Sequence, residues 1–206
     1  MKQPVFVEIV KIFDFSDTPW IGEKQLRIHL EKVSTKVEQK KIRSLYHQAF
    51  PADERAPFWL LARKAHRNNV DWWSIYDGDT WAGFFYVLHY TDLSYLFYFA
   101  ISPQCRGKGY GSQALCELKK VYAGRRIFLA IEQLDPAAEN YAERVRRKQF
   151  YERNGFTDLH EKLREANVVY SLLGIGSAVR KEEYKALIRN WGGALLTRLV
   201  KMEIVS

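Results

Sequence analysis

Apolar and polar positions alternate along residues 5–13, VFVEIVKIF, and again along residues 25–33, QLRIHLEKV. A period of two is the pattern of strands that bury one face. The period lengthens after Ser34 and Thr35, either of which caps a helix. Val37, Ile42, Leu45 and Tyr46 mark its apolar side to about Phe50, and Pro51 ends it. Residues 53–57 form a charged elbow, and a second helix fits residues 58–68. Residues 71–76, 81–90 and 93–101 read as three strands joined by tight turns, with Asp77-Gly78-Asp79 a hairpin signal. A helix over about 110–122 and a strand over 126–132 follow, then a helix over about 137–153 that stops at Asn154-Gly155. Residues 156–163 and 168–173 form a last strand pair around a turn at 164–167. The tail, 177–202, has helical spacing through Leu187, Ile188, Trp191, Leu195, Leu196, Leu199 and Val200, with a break at Gly192-Gly193.

Composition narrows the class. A chain of 206 residues makes one domain, or one with a small appendage, and 47% hydrophobic with 27% charged residues is ordinary for a soluble globular protein. The longest apolar run, residues 81–90, falls short of the roughly 20 residues that a membrane span needs. Glu8 and Lys11 interrupt what would be the apolar region of a signal peptide. Cys105 and Cys116 make neither a disulfide framework nor a metal-site spacing, so a cytoplasmic location is expected. The five histidines, at 29, 47, 66, 89 and 160, show no ligand spacing, and no metal is assigned. The net charge of +8 raises nucleic acid as a partner, but 32 basic residues are interleaved with 24 acidic ones without a basic tract. A polyanionic small ligand explains a basic face more simply, so neither nucleic acid nor a membrane is expected as a partner.

The candidate chemistry centres on residues 94–115, SYLFYFAISPQCRGKGYGSQAL. A strand-like run ends at Ser102-Pro103; Gln104-x-x-Gly107-x-Gly109 and Gly111 follow, and helical spacing resumes at Ala114, Leu115 and Leu118. Glycines let the backbone take positive φ near a ligand, and the free N–H groups of a first helical turn favour an anion. Arg106 and Lys108 add positive charge. A Walker loop is excluded, because no Gly-x-x-x-x-Gly-Lys-Ser/Thr run is present. Gly107-x-Gly109-x-Gly111 also lacks the dinucleotide spacing.

The loop resembles the cofactor loop of the GNAT superfamily of N-acyltransferases, Gln/Arg-x-x-Gly-x-Gly/Ala at a strand–helix junction. Phe150-Tyr151-x-x-x-Gly155-Phe156 is similar to a second motif of that family, and the element order over about residues 25–173 is similar to its fold. The resemblance implies an α/β (α+β) protein with a mixed, mostly antiparallel central sheet flanked by helices. It divides the chain into an N-terminal extension (1–22), an acetyltransferase domain (23–176) and a C-terminal helical tail (177–206), the last a packed cap or a homodimer element. It further implies an acetyl-CoA-dependent N-acetyltransferase that moves the acetyl group to a primary amine by direct attack in a ternary complex. The other reading is a non-catalytic acyl-CoA-binding sensor or interaction module of the same fold.

The cofactor residues so implied are Phe99, Ala100 and Ile101 beside the pantetheine arm, and Gln104, Cys105, Arg106, Gly107, Lys108, Gly109, Tyr110, Gly111 and Ser112 around the pyrophosphate. At 100° per residue, Asn140, Arg144, Arg147 and Tyr151 lie within about 60° of one another, a polar stripe that faces either a cofactor or solvent. Asn140, Arg147 and Tyr151 are carried forward as cofactor contacts. Tyr151 matches the position of the general acid toward the leaving thiolate. Glu132, at the end of an apolar strand, would project into the cleft as a base or as an anchor for a cationic acceptor, if it is not simply a solvated strand-end carboxylate. Asp53 and Glu54 in the elbow are weaker candidates for acceptor binding. The acceptor itself stays open among small amines, antibiotics, amino acids and protein N-termini.

Overall fold

Capping chemistry sets the first helix. In the computed structural model, which describes residues 27–52, 55–165, 168–193 and 202–205, Thr35 N-caps α1 (Lys36–Ala49) in a capping box. Thr35 Oγ1 accepts from Glu38 N–H at 3.1 Å, and the Glu38 carboxylate accepts from Thr35 N–H at 2.9 Å. Ile42, Leu45 and Tyr46 are buried as expected, but Val37 is 63% exposed and Glu38 is buried instead. The reason is angular: Val37 lies about 140° from Ile42 around the helix, and Glu38 only about 40°.

The remaining elements follow in the order α2 (Phe58–Lys64), β2 (Val70–Asp77), β3 (Thr80–Tyr90), β4 (Leu93–Ile101), α3 (Tyr110–Val121), β5 (Arg126–Glu132), α4 (Tyr141–Arg153), β6 (Thr157–Glu165), β7 (Val168–Ile175), α5 (Lys181–Gly192) and β8 (Met202–Val205), after β1 (Ile28–Lys32) and α1. The second helix is shorter than its spacing suggests, because the chain turns before Asn68-Asn69, where Lys64 Nζ and Arg67 Nη1 donate to the Trp191 and Asn190 carbonyls at the end of α5. The fourth starts at Tyr141 and not near 137, because Asp135 Oδ1 accepts from Ala137 N–H and successive turns follow at Ala138 and Tyr141. The tail is helical over Lys181–Gly192, and its last described residues form a strand on β6, with Ile204 buried. The strand expected at 5–13 and the extension 1–22 lie outside the described residues.

The eight strands are ordered β1-β2-β3-β4-β5-β7-β6-β8. All neighbours are antiparallel except β4 and β5, which the α3 crossover joins in parallel. One face is covered by α1, α2 and α5, whose Tyr46, Leu61, Leu187 and Trp191 pack with Trp72, Tyr86, Phe97 and Tyr98. The other carries α3 and α4, whose Leu115, Leu118, Phe150 and Tyr151 pack with Phe99, Ile101, Leu129 and Ile131. This is the mixed, mostly antiparallel sheet flanked by helices that the chain was expected to form.

The central pair positions the candidate site. β4 and β5 pair only through Leu93↔Arg126, Ser94↔Ile127 and Tyr95↔Phe128. Past those residues the strands part. A register shift between Tyr86 and Val87 leaves Phe97 as an extra residue on β4, and such a bulge bends and twists its strand. Residues 96–101 of β4 and 129–132 of β5 are thus not paired with each other.

Candidate active site at the parted strands

The glycine loop runs from the end of β4 to the start of α3. Pro103–Cys105 makes one 3₁₀ turn, and Gly107 and Gly109 then take φ of +66° and +78°. These left-handed values favour glycine, because a Cβ would crowd the following carbonyl. Gly109 is the N-cap of α3, and no side chain caps that helix. The charged side chains of the loop brace its own backbone: Arg106 Nε donates to Ile101 O at 3.0 Å, and Lys108 Nζ to Gln104 O at 2.8 Å. Gln104 also borders a surface cavity of about 630 Å³ on the α1 side of the loop. Cys105 is buried, and burial pushes its thiol up. Tyr110 O–H donates to Asp77 Oδ2 at 2.8 Å; burial and this bond push the phenol up to about 12. Gly111 lets α3 meet α4, since a Cβ there would lie 3.1 Å from the Phe150 ring. Ser112 Oγ accepts from Asn154 Nδ2 at 3.2 Å across the same contact.

Phe99, Ala100 and Ile101 are all buried and pair on one edge with Phe85, Phe84 and Gly83. The approach of β3 is so close that a Cβ on Gly83 would come within 2.2 Å of Ala100 O. Their other edge faces the parted β5.

The polar stripe of α4 is brought together and set against the end of β5. Arg147, 2% exposed, donates from Nη1 to Glu132 Oε2 at 2.8 Å, and Arg144 Nη2 lies 3.2 Å from Glu132 Oε1. Arg144 also donates to Asn140 Oδ1 and to Gln133 O, each at 2.8 Å, and Asn140 Nδ2 reaches Glu132 Oε1 at 3.4 Å. The solvated-face alternative for Arg147 is therefore excluded. Glu132 is buried as well, so it is not a solvated strand-end carboxylate. Its oxygens do not project freely into the cleft; guanidinium donors occupy both. Arg147 Nε has no hydrogen-bond partner among the described residues.

Tyr151 stands one turn beyond Arg147. It is fully buried, with ring centroids 5.2 Å from Phe150 and 5.6 Å from Phe156. Its hydroxyl has no partner among the described residues. Burial pushes the phenol well above its usual value, and the nearby Arg147 cation draws it partly back.

Asp53 and Glu54 lie outside the described residues. The neighbouring Ala56 is pinned to β4: its N–H donates to Tyr98 Oη at 2.9 Å, its carbonyl accepts from Tyr46 O–H at 2.9 Å, and the two hydroxyls are 2.7 Å apart. Sequence reasoning missed this clasp, whose residues are far apart in the chain. It also missed a polar cluster at the opposite end of the sheet, beside a cavity of about 600 Å³. There Asp71 Oδ2 accepts from Tyr122 O–H at 2.6 Å and pairs with His89 Nε2 at 2.9 Å, while His89 Nδ1 lies 3.1 Å from Ser94 Oγ. Burial alone would raise the Asp71 carboxyl, but hydrogen bonds from His89, Lys32 and Tyr122 hold it well below the usual carboxylate range. Among the described residues, no group of His, Cys, Asp and Glu could hold a metal ion, and no helix is long and apolar enough to cross a membrane.

Comparison with known proteins bears on this geometry. The model of the acetyltransferase (GNAT) family matches residues 40–156. No curated protein sequence matches the chain. Among solved structures, a GNAT-family protein from Bacteroides thetaiotaomicron is 24% identical, over 81% of this chain and 97% of that one, with a TM-score of 0.62. An aminoglycoside 6'-N-acetyltransferase complexed with coenzyme A is 16% identical over 74% and 98%, with a TM-score of 0.59. The ribosomal-protein-S18-alanine N-acetyltransferase from Escherichia coli is 16% identical over 75% and 97%, with a TM-score of 0.55. At these identities the likeness to solved structures is one of fold.

Proposed function

Because the chain belongs to the GNAT acetyltransferase family, we propose that it is an N-acetyltransferase that takes an acetyl group from acetyl-CoA to a primary amine within a ternary complex. The observation that carries this reading is the parting of β4 from β5 beyond Tyr95 and Phe128, beside the uncapped N-terminus of α3. The residues present fit the cofactor. Two left-handed glycines and the free amides of α3 suit a pyrophosphate. The buried hydroxyl of Tyr151 and Nε of Arg147, both without partners among the described residues, suit polar atoms of a chain threaded between the strands. Acetyl-CoA, when bound, supplies an activated acyl carbon with a thiolate as leaving group.

In this reading residues 104–112 hold the pyrophosphate, and the unpaired edge of Phe99–Ile101 aligns the pantetheine arm and offers a backbone N–H to the developing oxyanion. Tyr151 gives its proton to the departing sulfur, and the proton released by the acceptor nitrogen restores the phenol. Glu132 acts as the anchor of Arg147 and Arg144 and not as a free base, since it already accepts from Arg147 and forms an ion pair with Arg144. Asp53 and Glu54 remain the weaker candidates for acceptor binding.

The test is calorimetry with CoA and acetyl-CoA, followed by a CoA-release assay over a library of amines. Binding together with release on one class of amine supports the enzyme. No binding at millimolar CoA refutes the reading, and binding without release on any amine favours an acyl-CoA sensor.

A further inference from the structure

A fully buried arginine on α4 needs a reason. Removing two charges from water is costly, and an apolar pair of similar volume at such a site often leaves a protein as stable or more so. Arg147 is 2% exposed, and its guanidinium donates to Glu132, at the very end of β5. Arg144 shares that carboxylate, so the cluster carries one net positive charge. One turn along the same face of α4 is the hydroxyl of Tyr151, buried and without a partner among the described residues. Tyr151 lies in the apolar cluster that also holds Phe99 and Ile101 of β4, Leu115 and Leu118 of α3, and Leu129 and Ile131 of β5, and its ring packs directly on Phe150 and Phe156. The charged group that acts on it is Arg147 of its own helix, which is paired in turn with Glu132 of β5, and Glu132 also pairs with Arg144. The other titratable members of its cluster are Cys105 of the loop and Tyr122 after α3.

We infer that Arg147, clamped by Glu132, is a positioning residue that acts through Tyr151: its fixed positive charge makes the buried phenol acidic enough to surrender its proton to the leaving thiolate. The inference rests on the acetyl-transfer reading above. A phenol in an apolar enclosure resists ionisation, because the phenolate would be left without solvent or counter-charge. A preorganised cation lowers that resistance without rearranging during the reaction. The carboxylate is needed to hold the guanidinium in place, and the second cation, Arg144, keeps that carboxylate from cancelling the field. The opposing effects of burial and of Arg147 on the Tyr151 phenol agree with this arrangement.

The test reads ionisation of the phenol directly. A polyfluorinated tyrosine, intrinsically more acidic, is placed at position 151 and titrated by ¹⁹F NMR in the otherwise unchanged protein, in Arg147→Lys, and in the double variant Glu132→Leu/Arg147→Met. The double variant removes both charges of the buried Arg147–Glu132 pair together, and Arg144, which is partly exposed, keeps its hydrogen bonds to Asn140 Oδ1 and Gln133 O. Arg147→Lys is expected to keep the titration midpoint, and the double variant to raise it by about one pH unit or more. With ordinary tyrosine at 151, the double variant is expected to lose at least about tenfold in kcat at saturating acetyl-CoA. A folded double variant whose midpoint does not move overturns the inference, as does one that keeps full kcat. The NMR titration requires no turnover. A shifted midpoint together with a fully active Tyr151→Phe enzyme would therefore overturn the acid role of Tyr151 itself, a separate failure.

Discussion

Replacing Tyr151 by Phe is expected to make the protein more stable and less active. The hydroxyl is buried, and it has no hydrogen-bond partner among the described residues. Such a group gives up its bonds to water on folding and gains none, at a cost of about 1–3 kcal/mol. Phenylalanine keeps the ring contacts with Phe150 and Phe156 and removes the stranded oxygen, at the expense of a void smaller than a methyl group. A net gain of about 1 kcal/mol follows, which for a chain of this size raises Tm by about 2–4 °C. The same change removes the proposed proton donor and should lower kcat by about 10²–10⁴-fold, with the Kd for CoA within about twofold. Differential scanning calorimetry, a CoA-release assay and isothermal calorimetry on one preparation measure all three. A Tm that falls by several degrees would mean that the hydroxyl has a structural partner in solution. An unchanged kcat would remove the acid role while leaving the fold argument standing.

Other substitutions probe the rest of the framework. Glu132→Ala strands the buried Arg147 cation and should cost about 3–5 kcal/mol in urea unfolding, far more than an exposed ion pair would; a loss below 1 kcal/mol would contradict the burial. Gly109→Ala forces an L-residue to φ of +78° at the start of α3, and should cost about 1–2 kcal/mol and weaken CoA binding at least about tenfold by calorimetry. Asp71 has a folded carboxyl pKa below its unfolded value near 4. Its stabilisation is therefore complete above that value and is lost as pH falls through and below it. Chemical denaturation from pH 7 to pH 2 should show the advantage over Asp71→Asn shrinking by on the order of 2 kcal/mol below pH 4; an advantage that does not vary with pH would contradict the assignment.

Much of the fold is legible in the chain. β4 and β5 follow the apolar runs to the residue, because a strand buried on both faces reads as a near-continuous hydrophobic segment bounded by turns. Thr35 and Glu38 announce the start of α1 through local chemistry alone. The spacing of Gln104, Gly107 and Gly109 foretells a left-handed turn before a helix, and the turn is there. The ends of α2 and α4 were less legible, because Asn190, Trp191 and Asp135 compete for backbone and side-chain groups that helical periodicity would assign to the helix.

The candidate site divides along the same line. Sequence alone determines that Asn140, Arg144, Arg147 and Tyr151 share one face of a helix, because helical geometry is local and its period is fixed. It cannot say what that face meets. Only the tertiary structure decides that the stripe closes on Glu132, that Arg147 is buried and not solvated, and that β4 and β5 part after three residue pairs. Those outcomes depend on a bulge set by strand register and on a carboxylate brought in from another element. Such contacts form between residues distant in the chain, and no window of local periodicity spans them.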